Sequence, residues 1–92
     1  MEKTIKYKLA ISEYAKKQLK KLDRHTFTII TNWMLKNLEN CENPRLHGKA
    51  LTANRVGQWR YRVGDYRILA EIRDSELIIL VIEVGHRSKI YK

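Results

Sequence analysis

The feature that most constrains the fold of this chain is a change of hydrophobic period at Trp59. From there Trp59, Tyr61 and Val63 alternate with Arg60 and Arg62, Gly64 and Asp65 form a tight turn, and Tyr66, Ile68, Ala70 and Ile72 alternate with Arg67, Leu69 and Glu71. A period of two is that of a strand with one face buried. Asp74 and Ser75 turn the chain again into Leu77 to Val84, apolar on both faces except at Glu83. Such a run suits the centre of a sheet, covered by helices on one side and partly covered on the other. Three strands joined by hairpins are therefore predicted for the C-terminal third.

What precedes them supplies the covering layer. Ile5, Tyr7, Leu9 and Ile11 share one face of a half-buried strand over residues 3–11, with Lys6 and Lys8 opposite. Ser12 is a candidate N-cap for a helix from Glu13 to about Leu22, whose Ala15, Leu19 and Leu22 face inward while Lys16, Lys17, Lys20 and Lys21 face water. A second helix is predicted from about Thr26 to Asn40, because Phe27, Ile30, Met34, Leu38 and Cys41 recur at three-to-four-residue spacing. Pro44 forbids its continuation. Asn43 to Gln58, with Gly48 and Gly57, reads as a connecting loop with a short strand near Leu51. The expected fold is a two-layer α+β domain spanning 1–92, an N-terminal strand and two helices packed against an antiparallel C-terminal sheet.

Charge narrows the partner. The chain carries 19 Lys and Arg against 10 Asp and Glu, a formal charge of +9. A polyanion is favoured, RNA or DNA ahead of an acidic protein segment or anionic lipid. With Cys41 as the only cysteine, neither an intrachain disulfide nor a thiolate metal centre can form, and Cys41 reads as a small hydrophobe near a helix end. The N-terminus lacks the continuous apolar run of a signal peptide, and no stretch reaches the roughly 20 residues that span a bilayer. A cytoplasmic location with no membrane partner is expected.

Turn geometry assembles the cations. With Gly64 and Asp65 at the centre of the turn, Val63 pairs with Tyr66, Arg62 with Arg67 and Tyr61 with Ile68. Directly paired residues share a face, so Arg60, Arg62, Arg67, Leu69 and Glu71 lie opposite Trp59, Tyr61, Ile68 and Ala70. A two-residue turn at Asp74 and Ser75 pairs Ile72 with Leu77 and Arg67 with Ile82, which puts the even residues of the last strand, and His86 beyond them, on the arginine face. Gly85 is where a bend would reorient Arg87.

RNA cleavage by transphosphorylation needs activation of a 2′-hydroxyl, stabilisation of charge on the phosphate and protonation of the leaving oxygen. Arginine suits the second task, being a planar, permanently charged fork matched to phosphate. His86 is the obvious proton-transfer candidate, with an ordinary pKa near neutrality. Glu71 is the alternative base or a surface ion-pair partner of Arg62 or Arg67, and Tyr91 either stacks on a base or assists proton transfer. His47 reads as incidental and His25 as part of the helix junction. No ligand spacing or glycine-rich nucleotide loop is visible, so no cofactor or metal is implied.

The stretch from Trp59 through Val84, Gly85, His86, Arg87, Ile90 and Tyr91, together with the upstream run Pro44 to Leu51, resembles the RelE-like toxins of the RelE/ParE toxin-antitoxin superfamily. The resemblance covers nearly the whole chain. It implies a metal-independent endoribonuclease that cuts mRNA in the ribosomal A site, inhibits translation and is neutralised by a cognate antitoxin with an acidic segment, operator DNA being reached only through that antitoxin complex. By motif, Arg60 and Arg62 match a basic pair that is lysine in the family's founder, Arg67 the arginine after the turn, Arg87 the arginine after Val-Gly, and Tyr91 the C-terminal tyrosine. His86 stands where the founder has lysine. Lys49 and Lys89 complete the implied RNA-contacting set. Two alternatives remain: a non-catalytic, gyrase-inhibiting toxin of the ParE type, and an inactive antitoxin-binding module.

Overall fold

A computed structural model of the chain describes residues 5–90. The elements run β1 (Lys8–Ile11), α1 (Glu13–Lys20), α2 (Arg24–Asn37), β2 (Lys49–Ala50), a 3-10 turn (Ala53–Arg55), β3 (Trp59–Val63), β4 (Tyr66–Arg73) and β5 (Ile78–His86). They form one five-stranded sheet in the order β1-β5-β4-β3-β2, the α+β architecture expected from the sequence. The three C-terminal strands are antiparallel, and β1 adds to β5 in parallel, so the sheet is mixed. That parallel pairing requires the crossover through the helices that lie between β1 and the rest of the sheet.

Local chemistry sets the helix boundaries. Ser12 caps α1 by accepting the Ala15 N–H at 3.1 Å, as expected. Asp23 caps α2 through the Thr26 N–H at 3.0 Å, so that helix starts earlier than the sequence reading placed it. Ile30, Met34 and Leu38 are buried at four-residue spacing, but Phe27 is 40% exposed and lies off the core stripe. Both helices pack on one sheet face: Ala15, Leu19, Ile30, Met34 and Leu38 join Tyr61, Val63, Ile68, Ala70, Ile79, Val81 and Val84 in a single cluster.

The register of β3 on β4 is the expected one, with Val63 opposite Tyr66, Arg62 opposite Arg67 and Tyr61 opposite Ile68. Gly64, at φ 59°, occupies the first central turn position, where only glycine enters a type II′ hairpin without strain. The second hairpin departs from expectation. Its connection runs through Asp74 to Leu77 rather than two residues, which puts Ile72 opposite Ile79 instead of Leu77. Asp74 is drawn outward, accepting from the Tyr7 hydroxyl at 2.6 Å and from the Arg45 fork at 3.0 and 2.9 Å. A β-bulge follows: Ala70 faces Val81 but Leu69 faces Glu83, leaving Ile82 as the extra residue.

The candidate nucleic-acid interface

The bulge decides what lies on the sheet face away from the helices. Two rows of side chains cross it. One runs Lys49, Arg60, Leu69, Glu83; the next runs Arg62, Arg67, Gly85. The expected convergence of Arg60, Arg62 and Arg67 is found, with Lys49 added in register. His86 is not in either row. Past the bulge the parity of β5 is reversed, so His86 pairs with Tyr66 at the end of the helix-side row, their rings edge to face at 5.4 Å. Arg67 accordingly faces Gly85, not Ile82.

This face is partly roofed. Leu69 is fully buried and Ile90 is 3% exposed, although neither belongs to the helix-side cluster. The chain after β5 turns back, Lys89 and Ile90 donating their N–H groups to the His86 carbonyl, and Ile90 comes to rest over Gly85. Arg55 fastens it there, with Nη2 3.5 Å from the Ile90 carbonyl and Nη1 3.5 Å from Glu83 Oε1. The result is a cationic trough with one half-buried carboxylate in it. Arg55 and Glu83 are the members that sequence reasoning missed; the lone charge of Glu83 in an apolar strand was the available signal.

The remaining predicted residues fall as follows. Arg67 is 7% exposed and donates from Nη1 to the Gly64 and Tyr66 carbonyls, each at 3.2 Å, so its guanidinium is anchored at the hairpin turn. Arg87 is exposed beside the same turn, its N–H donating to the Asp65 carbonyl at 2.8 Å and its Nε lying 3.7 Å from the Asp65 carboxylate. Glu71 stays on the trough face but one row beyond the Arg60 row, and its partner is Arg73 at 3.2 Å rather than Arg62 or Arg67. Lys89 is exposed on the C-terminal turn. Tyr91 lies outside the described residues. Nδ1 of His86 accepts the Ser88 N–H at 3.1 Å, which assigns the proton of the neutral ring to Nε2.

Other titratable groups sit away from the trough. Burial raises the pKa of the Cys41 thiol, and burial likewise holds the Tyr61 phenol protonated far above its ordinary range. His47, read as incidental, packs its ring edge against Trp33 at 5.8 Å, and its carbonyl accepts the Trp59 indole N–H at 2.7 Å. Among the described residues no three His, Cys, Asp or Glu side chains gather as a metal ion would need, and no helix is long and apolar enough to cross a membrane.

A helical hairpin on one face of a five-stranded mixed sheet is the fold of RelE-like toxins. Residues 9–91 match the family described as ParE toxin of the type II toxin-antitoxin system parDE, and the chain belongs to that family. Toxin RelG of Mycobacterium tuberculosis is 27% identical over 86 residues, which cover 94% of this chain and 97% of that protein. A chain of the M. tuberculosis RelBE2 toxin-antitoxin complex superposes with a TM-score of 0.82 at 25% identity, over 97% of this chain and 100% of that one. The isolated Escherichia coli RelE toxin shares the fold with a TM-score of 0.70, at 24% identity over 92% and 90%.

Proposed function

We propose that this chain is a cytoplasmic, metal-independent endoribonuclease toxin that cleaves mRNA in the ribosomal A site. The observation that carries the reading is the pair of adjacent rows, Lys49 with Arg60 and Arg62 with Arg67, which set four cations on one sheet face. Like charges directly opposite one another destabilise a sheet, and a phosphodiester between them removes that repulsion. In this reading Lys49, Arg60 and Arg62 hold the RNA backbone, with Lys89 contacting it near the chain end. Arg67 and Arg87, both fastened at the hairpin turn, stabilise charge developing on the scissile phosphate.

Proton transfer is divided between two kinds of group. His86 lies at the end of β5 on the other face from the arginine rows, so as an acid it serves a leaving 5′-oxygen that passes the strand end. Nε2 is the donor there, because in the charged ring Nδ1–H is directed at Ser88 Oγ, 2.8 Å away. A base is then needed from a carboxylate. Both carboxylates are ion-paired, Glu83 to Arg55 and Glu71 to Arg73; Glu83 shares the row of Arg60, whereas Glu71 is one row farther out, so Glu83 has the better position. Tyr91 supplies a stacking ring in this scheme. The partner that silences the toxin is an antitoxin whose acidic segment neutralises the trough, and operator DNA is bound through that complex.

Mapping of mRNA 5′ ends on stalled ribosomes after expression tests the proposal. Cleavage that disappears in Arg62→Ala and Arg87→Ala, with folding retained, is the expected result; growth arrest with intact transcripts overturns it. A second reading, inhibition of DNA gyrase without catalysis, is favoured by the match to the ParE family and by the absence of His86 from the arginine rows. It predicts loss of supercoiling activity in vitro and toxicity that survives His86→Ala.

A further inference from the structure

The trough accounts for the cations but not for a cleft at its margin. β2 and β3 pair at only two positions, and where they part a cleft of about 310 Å³ opens, lined by Trp33, His47, Gly48, Lys49, Arg60 and Arg62. That volume is at the lower end of small-ligand sites. Resting on the RNA reading above, we infer that this cleft is a nucleobase subsite, in which one unstacked base of single-stranded RNA sits in the corner between Trp33 and His47 while Lys49 and Arg62 hold its phosphate.

The walls are aromatic and set at an angle. The two rings stand 5.8 Å apart with 68° between their planes, so a base stacked on one presents its edge to the other. Single-stranded RNA is recognised by this combination of a π-surface and adjacent cations. Among the described residues no carboxylate lines the cleft, so none of them opposes a phosphate there.

The corner is also built in advance. Trp59 Nε1 donates to the His47 carbonyl at 2.7 Å. Gly48, at φ 84°, lets the loop lie so close to β3 that a Cβ there would strike the Arg60 carbonyl. On the other wall Trp33 rests on Tyr61 with 5.6 Å between centroids, and the buried Tyr61 hydroxyl holds the Pro44 carbonyl at 2.6 Å. A loop whose side chains face solvent but whose backbone is fixed at several points loses little entropy on binding. An acidic peptide would be satisfied by the cations alone and gives no reason for two rings held at a fixed angle.

The test titrates the full chain at low salt with a fluorescent single-stranded RNA pentamer and with pentamers carrying one abasic ribose at each position in turn. Anisotropy reads affinity, and NMR reads the ring protons of Trp33 and His47. The expected result is one position at which base removal weakens binding roughly tenfold, the scale of one base stacked on an aromatic ring. At that position His47→Ala and Trp33→Leu bind the complete and abasic strands equally, and the ring protons shift only with the complete strand. Salt-dependent binding with no base-sensitive position overturns the subsite and leaves the RNA reading standing. Absence of binding together with intact transcripts overturns both. An acidic peptide whose binding, unlike that of RNA, is weakened by His47→Ala assigns the cleft to a protein partner instead and also overturns the inference.

Discussion

The two faces of the sheet are built by the same strands and differ in almost every physical respect. On the helix side the row Tyr61, Ile68, Val84 is 0–2% exposed and packs into the main core. One residue along each strand, the row Arg62, Arg67, Gly85 sets two arginines in direct register beside a position with no side chain. Burial of apolar area drives folding through the first row, and the second is carried at some electrostatic cost by the stability of the first. Alternation thus lets a short hairpin present a core face and a cationic face at once.

The comparison is broken most forcefully from the core side. Ile68→Ala removes a side chain with no exposure and is expected to cost about 2–5 kcal/mol in urea denaturation, with any loss of activity tracking the unfolded fraction. Tyr61→Phe leaves the Pro44 carbonyl without its buried donor and is expected to cost about 1–2 kcal/mol, while loosening the loop that carries His47. Arg62→Ala, on the exposed face, should change stability by less than about 0.5 kcal/mol; in the RNA titration it should lower the slope of log affinity against log salt by roughly 1. An Arg62→Ala variant that unfolds would erase the distinction between the faces.

The smallest effect expected lies outside both rows. Hydrogen bonds from Arg45, and then from Tyr7, hold the Asp74 carboxyl below the usual carboxylate range. A group with a depressed folded pKa contributes its stabilisation above its unfolded value, near 3.9, and loses it as pH falls through the folded value. Acid unfolding of Asp74→Asn should therefore lack the part of the pH dependence below about 4 that the wild type shows, with the two proteins behaving alike in their pH dependence near neutrality. Because the pair is exposed, salt should weaken the effect.

Much of this was legible in the residues. The period change at Trp59, the Gly-Asp turn and the Ser12 cap each act over a few residues, and local signals of that kind are readable from one chain. The β3–β4 register followed from the turn, and with it the convergence of Arg60, Arg62 and Arg67. The β4–β5 register was not legible, because Asp74 leaves the expected turn to meet Tyr7 and Arg45, residues distant in sequence. Phe27 matched the core spacing yet lies off the stripe, since which residues of an amphipathic helix are covered depends on where the sheet ends beneath it.

Sequence by itself determined the layers, the hairpin and the cationic character of one face, for these depend on period, turn chemistry and charge. Only the tertiary structure decided which groups stand beside those cations. A single extra residue, Ile82, reverses the parity of β5, removing His86 from the arginine face and placing Glu83 there. The side-chain period of a strand is two, so one unpaired residue moves every later side chain to the other face, and the bulge that does so is fixed by packing across the whole sheet.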